Sequence, residues 1–292
     1  MNNKVDTEHR PIVVCVHGSA SNGGQWRSFR QALRGRCRVF TPDLIGYGSR
    51  RYRPNGQFRL QDEVDAIIEQ IGDITEPFHL IGHSYGGAVA TYFAKKYPER
   101  IRSLILYEPA NFAMLFHEGL HTEASTEIRR VRSAFNGGVR SALSRWRAAR
   151  HFISYWSGPK AWRNLRFSQR SSIAGATPKV AAEFDALIAA KDTMTDMSDL
   201  DMPVKIICGT RTRLAAKRVC QLMAGQIRDC RLLQLVNLQH MAPLTDPDAV
   251  NPLLVDYVVP VIEANSVSAG RAKGTDAIAI ISTSPATGSR KR

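Results

Sequence analysis

No stretch of about 18 consecutive apolar residues occurs in the chain, which excludes a membrane-spanning helix of ordinary length. The opening Met1-Asn2-Asn3-Lys4-Val5-Asp6 has no hydrophobic signal core, so the expected location is the cytoplasm. No cysteine has metal-ligand spacing: C-x-x-C is missing, and Cys37, Cys220 and Cys230 have no histidine-rich neighbourhood. The five cysteines are an odd count, and Cys15 and Cys208 fall inside apolar runs, so reduced thiols are expected and no metal site. Internal repeats are lacking, as are nucleic-acid-binding motifs and aromatic-interleaved basic stripes. The formal charge of +14 is therefore read as a solvated basic surface rather than a nucleic-acid interface. That charge is uneven: residues 27–53 hold eight arginines against Asp43, and 109–200 hold thirteen bases against eight acids. A last absence is local, since no carboxylate occurs between Lys205 and Asp229.

What is present is a globular composition, 43% apolar and 23% charged over 292 residues, enough for one substantial core plus an insertion. Apolar β-rich runs near 12–16, 37–41, 78–82, 103–107, 204–208 and 231–236 alternate with helical patterns. Alternation of this kind predicts an α/β fold with a mostly parallel sheet of about six strands flanked by helices. Between Pro109 and Leu200 the strand signal disappears, and Glu123 to Arg150 and Thr177 to Lys191 read as helices. The expected organisation is a core over 1–109, a helical cap over 110–200, the rest of the core over 201–263 and a tail without fixed structure over 264–292. Ala277-Ile278-Ala279-Ile280-Ile281 is the exception in that tail, and it has no assigned role. Trp146, Trp156 and Trp162 lie in the cap with Phe112, Phe152 and Tyr155, either as its own core or as the lining of an apolar pocket.

The chemistry is carried by Gly82-His83-Ser84-Tyr85-Gly86-Gly87. A serine between two glycines, after the apolar run Phe78-His79-Leu80-Ile81 and before the helix-like Ala88 to Ala94, can be presented as a nucleophile on a sharp strand-to-helix turn. Upstream, Ile12 to Val16 ends in His17-Gly18-Ser19-Ala20, a place from which a backbone N–H can meet a developing oxyanion. With Val39 to Gly48 between them, these segments resemble the α/β-hydrolase family. The resemblance covers the nucleophile half closely and the late histidine segment well.

The resemblance implies a serine, acid, histidine order along the chain. His240, the only histidine beyond His151, follows the apolar run Leu232 to Val236 and is the expected base. His17 is expected to brace the oxyanion loop, and His83 to point away from substrate. The commoner family pattern places an aspartate after the strand at 204–208, where this chain reads Gly209-Thr210-Arg211-Thr212-Arg213-Leu214. Glu108, at the end of Leu104-Ile105-Leu106-Tyr107, is the candidate acid in its stead, with a Ser–His dyad or an intruding Asp201 as the alternatives. The oxyanion donors are expected to be the N–H groups of Tyr85 and of Ser19 or Ala20.

A serine nucleophile implies acyl chemistry on a small ester or thioester, apolar on its acyl side, with no cofactor. A carbon–carbon bond hydrolase, an acyltransferase or a cofactor-free haloperoxidase would use the same residues, and a non-catalytic ligand-binding protein could reuse the scaffold. Arg211 and Arg213 could hold an anionic acyl or leaving group, or form an ordinary solvated loop.

Overall fold

The computed structural model describes residues 10–53, 56–135, 139–259 and 278–281. Seven strands form one sheet: β1 (Ile12–Val16), β2 (Arg38–Phe40), β3 (Phe78–His83), β4 (Ile101–Tyr107), β5 (Val204–Gly209), β6 (Cys230–Leu235) and β7 (Ile278–Ile281). Every pairing is parallel, and the spatial order is β2-β1-β3-β4-β5-β6-β7. The six expected strands are all there. The seventh is the short apolar run of the tail, whose Leu232↔Ile278 register extends the sheet beyond β6. The other residues of 264–292 lie outside the described residues.

Side chains alternate between the two faces of a strand, and this sheet is covered on both. Val13, Cys15, Ile81, Ile105 and Ile207 pack with Phe29 of the helix Arg27–Ala32 and with Val250 and Leu254 of the helix Pro247–Val258. Val14, Val16, Leu80, Leu104 and Ile206 face the helices Leu60–Ile71, Tyr85–Lys96 and Leu214–Gln226. Near-continuous apolar runs rather than alternating ones follow directly from this double burial.

Among the described residues the regular elements between β4 and β5 are all helices, and their core, with Phe112, Ile128, Phe152 and Phe184, is continuous with the second face of the sheet. The helix expected over 123–150 is in fact two, Glu123–Ser133 and Ala142–Ser157. Gly137-Gly138 lies in the gap, and two adjacent glycines cost a helix about 2 kcal/mol relative to alanine. The helix expected from Thr177 begins ten residues earlier, running Phe167–Ala189 straight through Pro178. A proline there leaves the carbonyl of Ala174 without its N–H partner, and the Thr177 hydroxyl donates to it at 2.7 Å. That substitute bond lets the helix continue. Trp146 and Trp162 form a small separate cluster with Ala149 and Ala174, whereas Trp156 turns toward the sheet.

β1 and β3 are neighbours while the chain passes from β1 to β2 on the other side, so the strand order reverses there. Open parallel sheets bind ligands at the carboxyl ends of such strands. Ser84 follows β3 at that edge.

Candidate active site

Ser84 is the residue that takes the strained turn. Its backbone sits at φ 55°, ψ −122°, whereas neither Gly82 nor Gly86 adopts a positive φ. The glycines serve close approach instead: a Cβ on Gly82 would lie 2.5 Å from the carbonyl oxygen of Gly86, and one on Gly86 would lie 2.2 Å from that of His17. The helix Tyr85–Lys96 is thereby pressed onto β1 and β3. Main-chain bonds hold Ser84 in place, its N–H donating to Tyr107 O and its carbonyl accepting from Ala110 N, both at 3.0 Å.

The three residues singled out from sequence come together although they are far apart in the chain. Ser84 Oγ is 2.9 Å from His240 Nε2, and His240 Nδ1 is 2.7 Å from Glu108 Oε2. With Nδ1–H donated to the carboxylate, Nε2 is left to accept the serine proton. All three are buried. Glu108 also sits in the left-handed region, at φ 45°. Its carboxylate accepts from Gly209 N–H at 2.8 Å and from the Thr212 hydroxyl at 2.5 Å. Thr212, between Arg211 and Arg213, is thus the residue of the late loop that reaches the site. Asp201 is exposed and lies 3.7 Å from Arg228, so it has no part in the cluster.

His240 is held by contacts that sequence reasoning missed. Trp156 stacks on its ring, centroids 3.8 Å apart and planes 25° from parallel. Tyr107 Oη donates to the carbonyl of Gln239 at 2.9 Å. His83 Nε2–H donates to the carbonyl of His240 at 2.9 Å, while His83 Nδ1 accepts from Gln25 Nε2 at 3.2 Å. Gln25 Oε1 accepts in turn from Gly18 N–H at 3.2 Å, so one chain of hydrogen bonds joins the His17–Ala20 loop to the His240 loop. No local signal marks Gln25; only the fold brings it beside His83.

His17 donates Nδ1–H to Gly18 O at 2.8 Å and accepts from Leu44 N–H on Nε2 at 3.0 Å, which braces the loop as expected. Full burial lowers its pKa to about 4, and burial pushes that of His83 well below the ordinary range. Both are neutral in the fold and bind protons readily only when unfolded. Their contribution to stability is complete above the unfolded value of 6.5 and is lost as pH falls toward 4. The free energy of unfolding is expected to drop by about 1 kcal/mol for each of the two histidines over the first pH unit below 6.5. Urea titrations at stepped pH check this, and a flat or rising profile over that range would contradict it.

Among the described residues, no backbone hydrogen bond uses the N–H of Ser19 or Tyr85. That of Ala20 lies against the Tyr47 hydroxyl. Beside Ser19 is a buried charge cluster unforeseen from sequence. Lys179 Nζ donates to Glu63 Oε1 at 2.8 Å and to Glu183 Oε1 at 2.9 Å, all three side chains being within 2% of complete burial. The Ser19 and Tyr47 hydroxyls each donate to Glu183 at 2.6 Å. Burial opposes the charge of Lys179, but Glu183 and Glu63 together outweigh it and raise its pKa; burial raises that of Glu63. The i, i+4 spacing of Lys179 and Glu183 was visible, yet such a pair usually reads as a solvated helix face.

Ser19, Ser84, Tyr85, Phe112, Phe152, Trp156, Glu183, Phe184 and Leu187 enclose a cavity of about 10 Å³. That is room for about one water molecule, so an acyl chain enters only if the inserted helices or their side chains move. Among the described residues no group of His, Cys, Asp and Glu side chains has the arrangement of a metal site, and no helix is long and apolar enough to cross a membrane.

The sequence profile of the alpha/beta hydrolase family matches residues 13–253. The chain is 26% identical over 258 residues to a pimeloyl-[acyl-carrier protein] methyl ester esterase of Aeromonas hydrophila, 85% of this chain aligning with 95% of that one. It is 35% identical over 113 residues to a mouse (lyso)-N-acylphosphatidylethanolamine lipase, 37% of this chain against 33% of that protein. The chain spans about a third of the length of the first such curated relatives it matches, from 31% to 39%. Among solved structures, an esterase from Thermogutta terrifontis superposes with a TM-score of 0.65 at 23% identity, covering 85% of this chain and 89% of that one. At that identity the likeness is one of fold alone.

Proposed function

Because the chain belongs to the alpha/beta hydrolase family, we propose that it is a serine hydrolase cleaving a small ester or thioester through an acyl-enzyme on Ser84. The observation that carries this reading is the buried relay from Ser84 Oγ through His240 to Glu108. Ser84 Oγ attacks the carbonyl carbon as its proton passes to His240 Nε2, and the imidazolium then protonates the leaving oxygen or sulfur as its bond to carbon breaks. A water molecule, deprotonated by the same nitrogen, adds to the acyl carbon, releases the acid and restores the serine. Glu108 keeps the imidazole in the required tautomer and offsets its charge when protonated. The N–H groups of Ser19 and Tyr85, the latter opening the nucleophile helix, receive the oxyanion.

The segment 110–200 acts as a cap, and its phenylalanines and Leu187 favour an apolar acyl group. The methyl ester esterase, aligned over most of both chains, supports ester chemistry. Incubation with a fluorophosphonate followed by peptide mass spectrometry is expected to label Ser84, and p-nitrophenyl butyrate is expected to turn over. A folded protein that is neither labelled at Ser84 nor active on the ester would overturn the proposal.

A further inference from the structure

Trp156 lines two hollows. One is the small cavity at Ser84; the other, of about 260 Å³, is bordered by His240, Gln239, Tyr155, Gly158, Thr212, Arg211 and Arg213. The second hollow is therefore bordered by His240 and two arginines, whereas the first is walled mainly by apolar side chains. Arg211 and Arg213 are placed there by the same contacts that build the site. They flank Thr212, whose hydroxyl shares Glu108 Oε2 with His240. Arg211 N–H donates to Leu238 O at 3.0 Å, tying this loop to the one that carries His240.

Arg213 is also preorganised. Its Nε–H donates to the carbonyl of Tyr155 at 2.6 Å, and its guanidinium lies over the Tyr155 ring, 4.8 Å from the centroid. Its terminal nitrogens bond to no described residue, and no described carboxylate pairs with either arginine. The nearby Glu108 carboxylate is taken up by Gly209, Thr212 and His240. Two exposed cations without a described carboxylate partner, one of them tethered to Tyr155, border the residue that would protonate a departing group. A planar guanidinium suits phosphate or carboxylate oxygens.

We propose that this hollow is a leaving-group subsite for an alcohol or thiol that bears an anionic group, phosphate or carboxylate. This rests on the acyl-transfer reading above, and adds no bond change to it: the anion is held while His240 gives its proton to the leaving oxygen or sulfur. An anion beside His240 also favours the imidazolium formed on the way.

The test compares butyryl esters of glycerol, glycerol phosphate and glycerate, which share an acyl chain and differ in the charge of the alcohol. The kcat/KM of at least one anionic ester is expected to exceed that of the neutral ester by about tenfold or more, and the larger of the two ratios identifies the anion. In an Arg211→Gln, Arg213→Gln double variant, checked for folding by circular dichroism, that ratio is expected to fall to about one. Independently of turnover, glycerol phosphate or glycerate, whichever the larger ratio identifies, is expected to change tryptophan fluorescence saturably in the wild type and not in the double variant, with sodium chloride of equal ionic strength as the control. Equal kcat/KM values in the wild type, a preference that survives in the folded double variant, or no saturable binding would overturn the subsite. Labelling of Ser84 and turnover of the neutral ester without discrimination would remove the subsite alone. Loss of both labelling and turnover would remove the hydrolase reading itself.

Discussion

Replacing Glu108 with glutamine is expected to lower kcat by about 10³–10⁴-fold with the fold intact. The carboxylate accepts three hydrogen bonds, and the amide changes the sense of the one that matters. An amide nitrogen facing His240 Nδ1 is a donor, so Nδ1 must become an acceptor and the ring proton moves to Nε2. Nε2 then points a hydrogen at Ser84 Oγ and cannot take its proton. The negative charge that steadies the imidazolium is lost as well. Packing is little disturbed, because the amide oxygen can still accept from Gly209 N–H and the Thr212 hydroxyl can rotate to accept from the amide. Thermal unfolding and p-nitrophenyl butyrate kinetics on Glu108→Gln would check this. A folded variant within about tenfold of wild type would leave Ser84 and His240 as a dyad and remove Glu108 from the reaction.

The second large effect is expected from Lys179→Met. Removing one partner of a buried ion pair leaves charge without compensation and costs about 3–5 kcal/mol. Here one ammonium serves both Glu63 and Glu183, and it also lies 4.2 Å from the Phe58 ring centroid and 4.9 Å from that of Tyr85. Methionine fills much of the volume and restores none of the charge. A fall in Tm of roughly 10 °C is the corresponding expectation for a chain of this size. Activity should fall too, because Glu183 accepts from Ser19, whose N–H is a proposed oxyanion donor. Adding Glu63→Gln to Lys179→Met, which removes one of the two uncompensated carboxylates, should recover part of the lost stability. Calorimetry on the single and double variants decides it, and a loss below about 1 kcal/mol in Lys179→Met would show that the cluster has a cheaper arrangement available.

The order of elements and both candidate reacting groups were legible in the linear chain because each rests on local chemistry. β1, β3 and β4 are apolar runs buried on both faces, and Ser84 announces itself by neighbours that must be glycine for the helix to meet the strand. His240 was found by its position after the last strong strand signal, and Glu108 by its place at the end of Leu104 to Tyr107 and by the lack of a carboxylate between Lys205 and Asp229. The boundaries that failed did so for equally physical reasons. A hydroxyl at Thr177 lets the helix expected to start there run through Pro178 from Phe167, and a weak four-residue run became β7 because β6 offered it an open edge.

Sequence by itself therefore determined the α/β architecture, the site of the strained serine and the residues available to serve it, since burial pattern and turn chemistry act over a few residues. Only the tertiary structure decided that Thr212 rather than either arginine meets Glu108, that Gln25 and His83 connect two loops, and that Trp156 lies on His240. It also decided that Lys179, Glu63 and Glu183 are enclosed together rather than solvated. All of those contacts but Lys179–Glu183 join residues more than fifty positions apart, and a side chain's hydrogen-bond partner or its desolvation is set by what folding brings near it, which no local window of sequence contains.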